Sequence, residues 1–205
     1  MSVRIDKRAA VEVERLLEST GALLRGHFKL SSGLHSDRYC QCARLFEDPA
    51  SAGRVAGLMA QQLAGVQVDV VLAPALGGIL WGYELARALG VRSVFAERVG
   101  TDFTLRRGFA LAQSERVLLA EDVITTGKSV MELAPLVEAA GAQVVGIAAV
   151  VDRSKGSFAP AGIPVWAMCQ LEFNVWEAKN VPPAIAEMPA VKPGSRPGAS
   201  TSSAV

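Results

Sequence analysis

Four short apolar runs, separated by stretches of helical pattern, constrain this chain more than any other feature. They are Val68-Asp-Val-Val-Leu-Ala73, Ser93-Val-Phe-Ala96, Arg116-Val-Leu-Leu-Ala120 and Val144 to Val151. Each has the length of a buried strand. Pro74 and Gly77-Gly78 close the first, and the second follows a helical stretch, Ile79 to Leu89, that Gly90 ends. The third leads through a Thr-Thr-Gly turn into a helix over about 129–140, which Gly141 caps. Strands that alternate with helices of roughly 10–15 residues build βαβ units. The expected fold is therefore α/β, a mostly parallel central sheet flanked by helices on both faces.

Other segments fill in this plan. Residues 6–19 place Val11, Val13, Leu16 and Leu17 at near-helical spacing among charges, and residues 50–64 also read as helix. In Gly26-His-Phe-Lys-Leu-Ser-Ser-Gly33 the alternation of Phe28 and Leu30, stopped by glycine, predicts a short strand and turn. Residues 97–109 mix charge, glycine and β-formers without helical period and read as a mobile arm or hairpin. From Pro182 the chain is rich in proline, serine and alanine, so 189–205 is expected to be a disordered tail after a single domain over 1–188.

Composition excludes several functions. The 205 residues fit one ordinary domain. With a net charge of +1 there is no bulk electrostatic case for a nucleic-acid or membrane partner, so any anion site must be local. The longest apolar runs fall far short of a membrane span. Arg4, Asp6, Lys7 and Arg8 occupy the place where a signal peptide needs an apolar stretch. Cys40, Cys42 and Cys169 are odd in number, and one residue between the first two is too few for a C-x-x-C redox pair or a usual zinc knuckle. All three read as reduced thiols of a cytoplasmic protein. The two histidines, His27 and His35, lack zinc-site spacing.

The chemistry concentrates in Val117-Leu-Leu-Ala-Glu-Asp-Val-Ile-Thr-Thr-Gly-Lys-Ser129. An apolar strand ends in two adjacent carboxylates, Glu121 and Asp122, and a hydroxyl-rich, glycine-bearing loop then opens a helix. Ligands of open α/β sheets bind outside the carboxyl ends of strands. A glycine turn at a helix start offers backbone N–H groups to a phosphate, and Thr125, Thr126 and Ser129 add hydroxyl donors. Two carboxylates facing such a cradle suit a phosphorylated ribose. Gly127-Lys-Ser129 echoes the end of a Walker A loop, but the first glycine of that motif would fall on Asp122. No G-x-G-x-x-G fingerprint follows a strand.

This thirteen-residue pattern resembles the phosphoribosyl-diphosphate signature of type I phosphoribosyltransferases. Further segments are similar to the orotate branch of that family, in the family's order over roughly residues 7–180. Phe28-Lys-Leu-Ser-Ser-Gly-Leu-His-Ser36 resembles a hood over the base, and Ala73-Pro-Ala-Leu-Gly-Gly78 the diphosphate loop. Phe95-Ala-Glu-Arg98 to Thr104-Leu-Arg-Arg-Gly-Phe109 resembles the catalytic arm, and Val150-Val-Asp-Arg153 a strand end whose arginine meets the orotate carboxylate. The resemblance implies a type I fold with a small hood, formed by about residues 1–45 and a C-terminal strand region.

It also implies roles for individual residues. Phosphoribosyl diphosphate would be held by Glu121, Asp122, Val123, Ile124, Thr125, Thr126, Gly127, Lys128 and Ser129, together with Arg98, Ala75, Leu76 and Gly77. Orotate would meet Thr125, Arg153, Phe28, Ser32 and Gly33. Catalysis would fall to Asp122, Arg98, Arg106 and Arg107. Mg²⁺ would be held mainly by substrate and water rather than by side chains, and a non-proline cis peptide is implied at Ala75–Leu76. The partners implied are orotate, phosphoribosyl diphosphate and a second copy of the chain, with the arm acting in trans.

The chain departs from the family pattern at Ser31 and Gly77, where many members carry lysine, and in its arm, which uses arginines where lysines and a histidine are usual. Taken alone, Arg153 also fits a surface charge after a strand. His35 and Tyr39 fit ordinary turn and packing residues, and Trp81, Trp166 and Trp176 fit the core better than a ligand platform. Two other functions stay open at this point: a purine phosphoribosyltransferase, whose hood would follow the signature, and a nucleotide-sensing regulator of the same fold without catalysis.

Overall fold

A computed structural model describes residues 3–30 and 32–193. The strands are β1 (Leu23–Lys29), β2 (His35–Cys40), β3 (Val70–Pro74), β4 (Arg92–Val99), β5 (Asp102–Leu105), β6 (Arg116–Ile124), β7 (Gln143–Asp152), β8 (Val165–Gln170) and β9 (Val175–Trp176). The α-helices are α1 (Lys7–Ser19), α2 (Pro49–Gln62), α3 (Gly78–Leu89), α4 (Lys128–Met131), α5 (Ala134–Ala139) and α6 (Pro183–Ala186). The chain divides into two compact units, one of Met1–Leu23 with Cys40–Glu172, the other of Leu24–Tyr39 with the chain from Phe173 onward.

The first unit is built on a six-stranded sheet in the order β5-β4-β3-β6-β7-β8. Every pairing from β4 to β8 is parallel, and only the edge pair β4–β5 is antiparallel. This is the mostly parallel α/β sheet expected from the apolar runs. The middle strands β3, β6 and β7 are apolar along most of their length because both faces are covered, and Val70, Leu72, Val117, Leu119, Ile147 and Ala149 are fully buried in one cluster. Trp81 is also fully buried, and its indole N–H donates to the Ala148 carbonyl at 3.0 Å, so it belongs to the core. Asp6 caps α1 by accepting from the amides of Arg8 and Ala9, and the helix buries Val13 and Leu17.

Three differences from the expected elements have local causes. The helix expected over about 129–140 is broken into α4 and α5, because Pro135 has no N–H to continue the ladder. Strand β6 runs on to Ile124, still paired to β7 at Glu121, Val123 and Ile124. The arm takes the hairpin form that was one of its two expected readings: β4 and β5 pair from Ala96↔Leu105 to Val99↔Asp102, and Gly100 turns the chain with φ 63°. Strand β8 carries no alternation to announce it, since five of its six residues are buried.

The second unit is a three-stranded sheet, β1-β2-β9, so the hood-like strands draw only on 24–39 and the chain after 173, whereas α1 belongs to the unit of the large sheet. Within it, His27 Nε2 lies 2.6 Å from His35 Nδ1, and His27 Nδ1 lies 3.1 Å from the Met188 carbonyl. A carbonyl can only accept, so Nδ1 of His27 carries a hydrogen. Val191 bonds through its main chain to both His27 and Lys29, so the segment expected to be disordered from residue 189 pairs here with β1. Residues 194–205 of that expectation lie outside the described residues, as does Ser31.

Candidate active site

The carboxyl ends of β3 and β6 place two loops side by side. After Pro74 the chain turns through Ala75, Leu76 and Gly77 into α3, and the Ala75–Leu76 peptide is cis, as the resemblance implies. The amide of Ala75 donates to the Ala96 carbonyl at 2.8 Å, tying this loop to β4. A Cβ on Gly78 would stand 2.9 Å from Pro74 Cδ and 3.2 Å from the Ala120 carbonyl oxygen. Only glycine lets α3 start this close to β6. One residue earlier, a Cβ on Gly77 would meet the Asp122 carboxylate at 3.1 and 3.2 Å. The expected diphosphate loop and acid pair are thus brought together.

The two acids differ in environment. Asp122 is half-buried, and its Oδ1 accepts from the Val123 amide at 2.9 Å. Glu121 is 8% exposed. Burial, reinforced by the neighbouring Asp122 charge, pushes its carboxyl up to about 9. At neutral pH it holds a proton and can donate as well as accept a hydrogen bond.

Beyond Ile124 the loop exposes Thr125, Thr126, Lys128 and Ser129 and buries Gly127. Gly127 has φ 73°, and a Cβ on it would fall 1.9 Å from a ring carbon of Phe158. Phe158, which no sequence signal marks, therefore supports the turn from beneath. The hydroxyl of Thr126 accepts from the Lys128 amide at 3.3 Å. Because α4 has only four residues, its dipole adds less than the longer expected helix would, and hydroxyls and loop amides carry more of any anion binding.

Arg153 follows β7, and its amide donates to the Ile124 carbonyl at 2.8 Å, so it begins where the hydroxyl loop begins. The Asp152 side chain before it is buried and accepts from the Ser154 amide at 2.8 Å. The arm arginines engage acids. Arg98 contacts Glu132 at 2.5 Å, bonds the Thr101 carbonyl and lies 4.2 Å over the Phe103 ring. Its guanidinium holds the Glu132 carboxyl below its ordinary value. Arg106 and Arg107 both pair with Glu97, at 3.7 and 2.7 Å. The structure does not bring these two to the acid pair. Exposed ion pairs are worth about 0–1 kcal/mol and exchange readily for a stronger anion.

Phe28, Ser32 and Gly33 belong to the second unit. Phe28 is buried, with its ring 5.8 Å from that of Tyr39. Ser32 and Gly33 form an exposed turn in which Gly33, at φ 84°, donates its amide to the Leu30 carbonyl. Among the described residues no cluster of three or more His, Cys, Asp or Glu side chains could hold a metal ion.

Comparison with known proteins agrees with this geometry. Residues 42–183 match the phosphoribosyl transferase domain family. An orotate phosphoribosyltransferase of Rhizorhabdus wittichii is 48% identical over 178 residues, which are 85% of this chain and 90% of the relative. One from Caldanaerobacter subterraneus subsp. tengcongensis is 42% identical over 192 residues, 94% of this chain and 99% of the relative. The crystal structure of orotate phosphoribosyltransferase from Aeropyrum pernix superposes with a TM-score of 0.66 at 28% identity, covering 78% of this chain and 93% of that one.

Proposed function

This chain belongs to the orotate phosphoribosyltransferases within the phosphoribosyl transferase domain family, and from that membership we infer how its residues divide the work. The reaction is the transfer of the phosphoribosyl group from 5-phospho-α-D-ribose 1-diphosphate to orotate, giving orotidine 5′-monophosphate and diphosphate in pyrimidine biosynthesis. The observation that carries the site reading is the approach of the Gly77 backbone to the Asp122 carboxylate. It supports reading Ala75–Gly77 as the diphosphate loop and Asp122 as the ribose-holding acid.

Displacement at the anomeric carbon expels diphosphate and builds positive charge on the ribose ring. Asp122 and Glu121 hold the ribose hydroxyls, and Thr125, Thr126, Gly127, Lys128 and Ser129 take the 5′-phosphate. Ala75, Leu76 and Gly77 line the leaving diphosphate through main-chain groups. Arg98, Arg106 and Arg107 exchange Glu132 and Glu97 for the diphosphate and neutralise it. Arg153 pairs with the orotate carboxylate, and Phe28, Ser32 and Gly33 meet the base. Orotate carries an acidic ring nitrogen, so attack needs no strong protein base. Mg²⁺ would come in with the diphosphate, held mainly by substrate and water, and would supply charge neutralisation there.

The working unit is a two-fold dimer whose arm serves the neighbouring site. Leu76, in the loop before α3, and Leu80 and Tyr83 on its first turns support this reading: they are 85%, 51% and 59% exposed. Such an apolar row is one that a second copy covers. Among the described residues no helix is long and apolar enough to cross a membrane, and the three cysteines are free thiols. A cytoplasmic setting suits these features. Orotate depletion in the presence of phosphoribosyl diphosphate and Mg²⁺ tests the activity. Titration with orotate, adenine and hypoxanthine tests the base, and tighter binding of either purine would overturn the assignment.

A further inference from the structure

Immediately behind the acid pair lies a second reactive cluster that the transfer reaction does not use. Cys40 ends β2 and Cys42 opens a 3₁₀ turn, Cys42–Glu47, with Gln41 between them in extended conformation (φ −132°, ψ 90°). Two extended residues span about 6.6 Å, within the Cα separation that a disulfide bridges. Their sulfurs lie 3.8 Å apart. The Cys42 thiol also lies 3.8 Å from the main-chain carbonyl oxygen of Asp122, to which it donates. Cys40 is half-buried and Cys42 is 2% exposed.

The two thiols are chemically unequal. When Cys40 ionises, the single Cys42 S–H can turn from the Asp122 carbonyl to the Cys40 sulfur, and that bond pulls the Cys40 thiol below its ordinary value, with the Arg153 charge adding to this. The same bond and burial push Cys42 well up. The more accessible sulfur is thus the better supplied with thiolate, and the buried one is placed to resolve it. Cys169, deep in β8, is pushed up by burial and its thiol donates to the Val150 carbonyl at 3.8 Å, so it serves as an internal control.

We propose that Cys40 and Cys42 form a peroxide-reactive dithiol site whose closure to a disulfide weakens phosphoribosyl-diphosphate binding at Asp122. Cys40 thiolate attacks one peroxide oxygen, the O–O bond breaks, and hydroxide leaves to become water on taking a proton. The Cys42 sulfur then attacks the Cys40 sulfenic acid, its proton leaves with the hydroxyl as a second water, and the S–S bond forms. Two thiols have lost two electrons and two protons, and one peroxide has become two waters. To reach bonding distance the Cys42 sulfur leaves the Asp122 carbonyl, and that oxygen loses a buried donor directly on the residue that holds ribose.

The test treats the full-length protein with hydrogen peroxide, with and without later dithiothreitol. Thiol titration after denaturation should fall from three free cysteines to one. The tryptic peptide spanning residues 39–44, which contains both cysteines, should become two hydrogens lighter. KM for phosphoribosyl diphosphate should rise about fivefold and return on reduction, the size expected for one lost buried hydrogen bond. Cys40→Ser should match the untreated protein in activity and show no reversible rise in KM. An unchanged thiol count, or added oxygen on the peptide in place of lost hydrogens, would overturn the dithiol site whatever the substrate. A disulfide that leaves KM unchanged would overturn its coupling to Asp122. Untreated activity on orotate reports separately on the transfer reaction.

Discussion

The Asp122 carboxylate lies so close to the Gly77 backbone that a methyl group on Gly77 would stand 3.1 Å from Oδ2 and 3.2 Å from Oδ1. Gly77→Ala should therefore displace Asp122 by a few tenths of an ångström while leaving the core alone. A shift of that size at a positioned acid should lower kcat/KM for phosphoribosyl diphosphate about tenfold. The unfolding midpoint should barely move, because Asp122 is half-buried and can give. A variant of normal activity would separate the loop from the ribose site.

The Glu121 carboxyl makes stability depend on pH. Its ordinary value is 4.5 and burial raises it to about 9, so the folded chain binds this proton more tightly than the unfolded chain. The stabilisation is whole below 4.5 and is lost as pH climbs through about 9, by at most ~1.4 kcal/mol per pH unit. Denaturant unfolding at a series of pH values across this window should show wild type weakening while Glu121→Gln stays nearly flat. Parallel curves for the two proteins would mean that Glu121 is already ionised in the folded state.

Gly127→Ala should destabilise the fold as well as the site. The new Cβ would overlap the Phe158 ring, and φ 73° is unfavourable for alanine. Overpacking costs about 1–3 kcal/mol and a left-handed non-glycine residue about 1 kcal/mol or more. Phe158→Ala removes the overlap, so the double variant should be less destabilised than the sum of the singles by about 1 kcal/mol. Strict additivity in urea unfolding would place the ring elsewhere.

Arg153→Ala should discriminate between the substrates. Removing one partner of a desolvated charge pair costs on the order of 2–5 kcal/mol, and that cost should fall on orotate. Calorimetric titration should show phosphoribosyl diphosphate bound nearly as before. Equal losses for both would make Arg153 a structural residue.

Subunit mixing tests the arm. One variant carries Arg98, Arg106 and Arg107 changed to alanine, and the other carries Asp122→Asn with Arg153→Ala. Each alone should be nearly inactive. If arms act in trans, a mixed dimer holds one intact site, and random exchange, which makes about half the dimers mixed, should restore roughly a quarter of wild-type activity. No recovery after verified exchange would show that each arm serves its own chain.

The order of strands and helices could be read from the chain because buried parallel strands must be apolar and the helices between them amphipathic. The acid pair and hydroxyl loop were legible for a related reason, since Glu121, Asp122 and Gly127 break the apolar run in one place. Contacts between distant segments were not. Nothing in the order of residues relates Gly127 to Phe158, Asp122 to Cys42 or Arg98 to Glu132, because each pair is set by packing rather than by local preference. Pro135 was visible, yet its break of the expected helix followed only from where the missing N–H fell in the ladder. Strand β8 escaped notice because burial on both faces erases alternation.

Strand β6 is bonded to β3 on one side and β7 on the other. Its amides at Leu118 and Leu119 should thus be among the last to exchange with deuterium, opening only when the whole sheet opens. In the hairpin arm, by contrast, the edge strand β5 pairs only with β4, with Phe103 packed on the core and Arg98 paired to Glu132. Displacement of that edge would leave Glu121 and Asp122 in register, because β3 stands between β4 and β6 and holds β6 as a fixed frame.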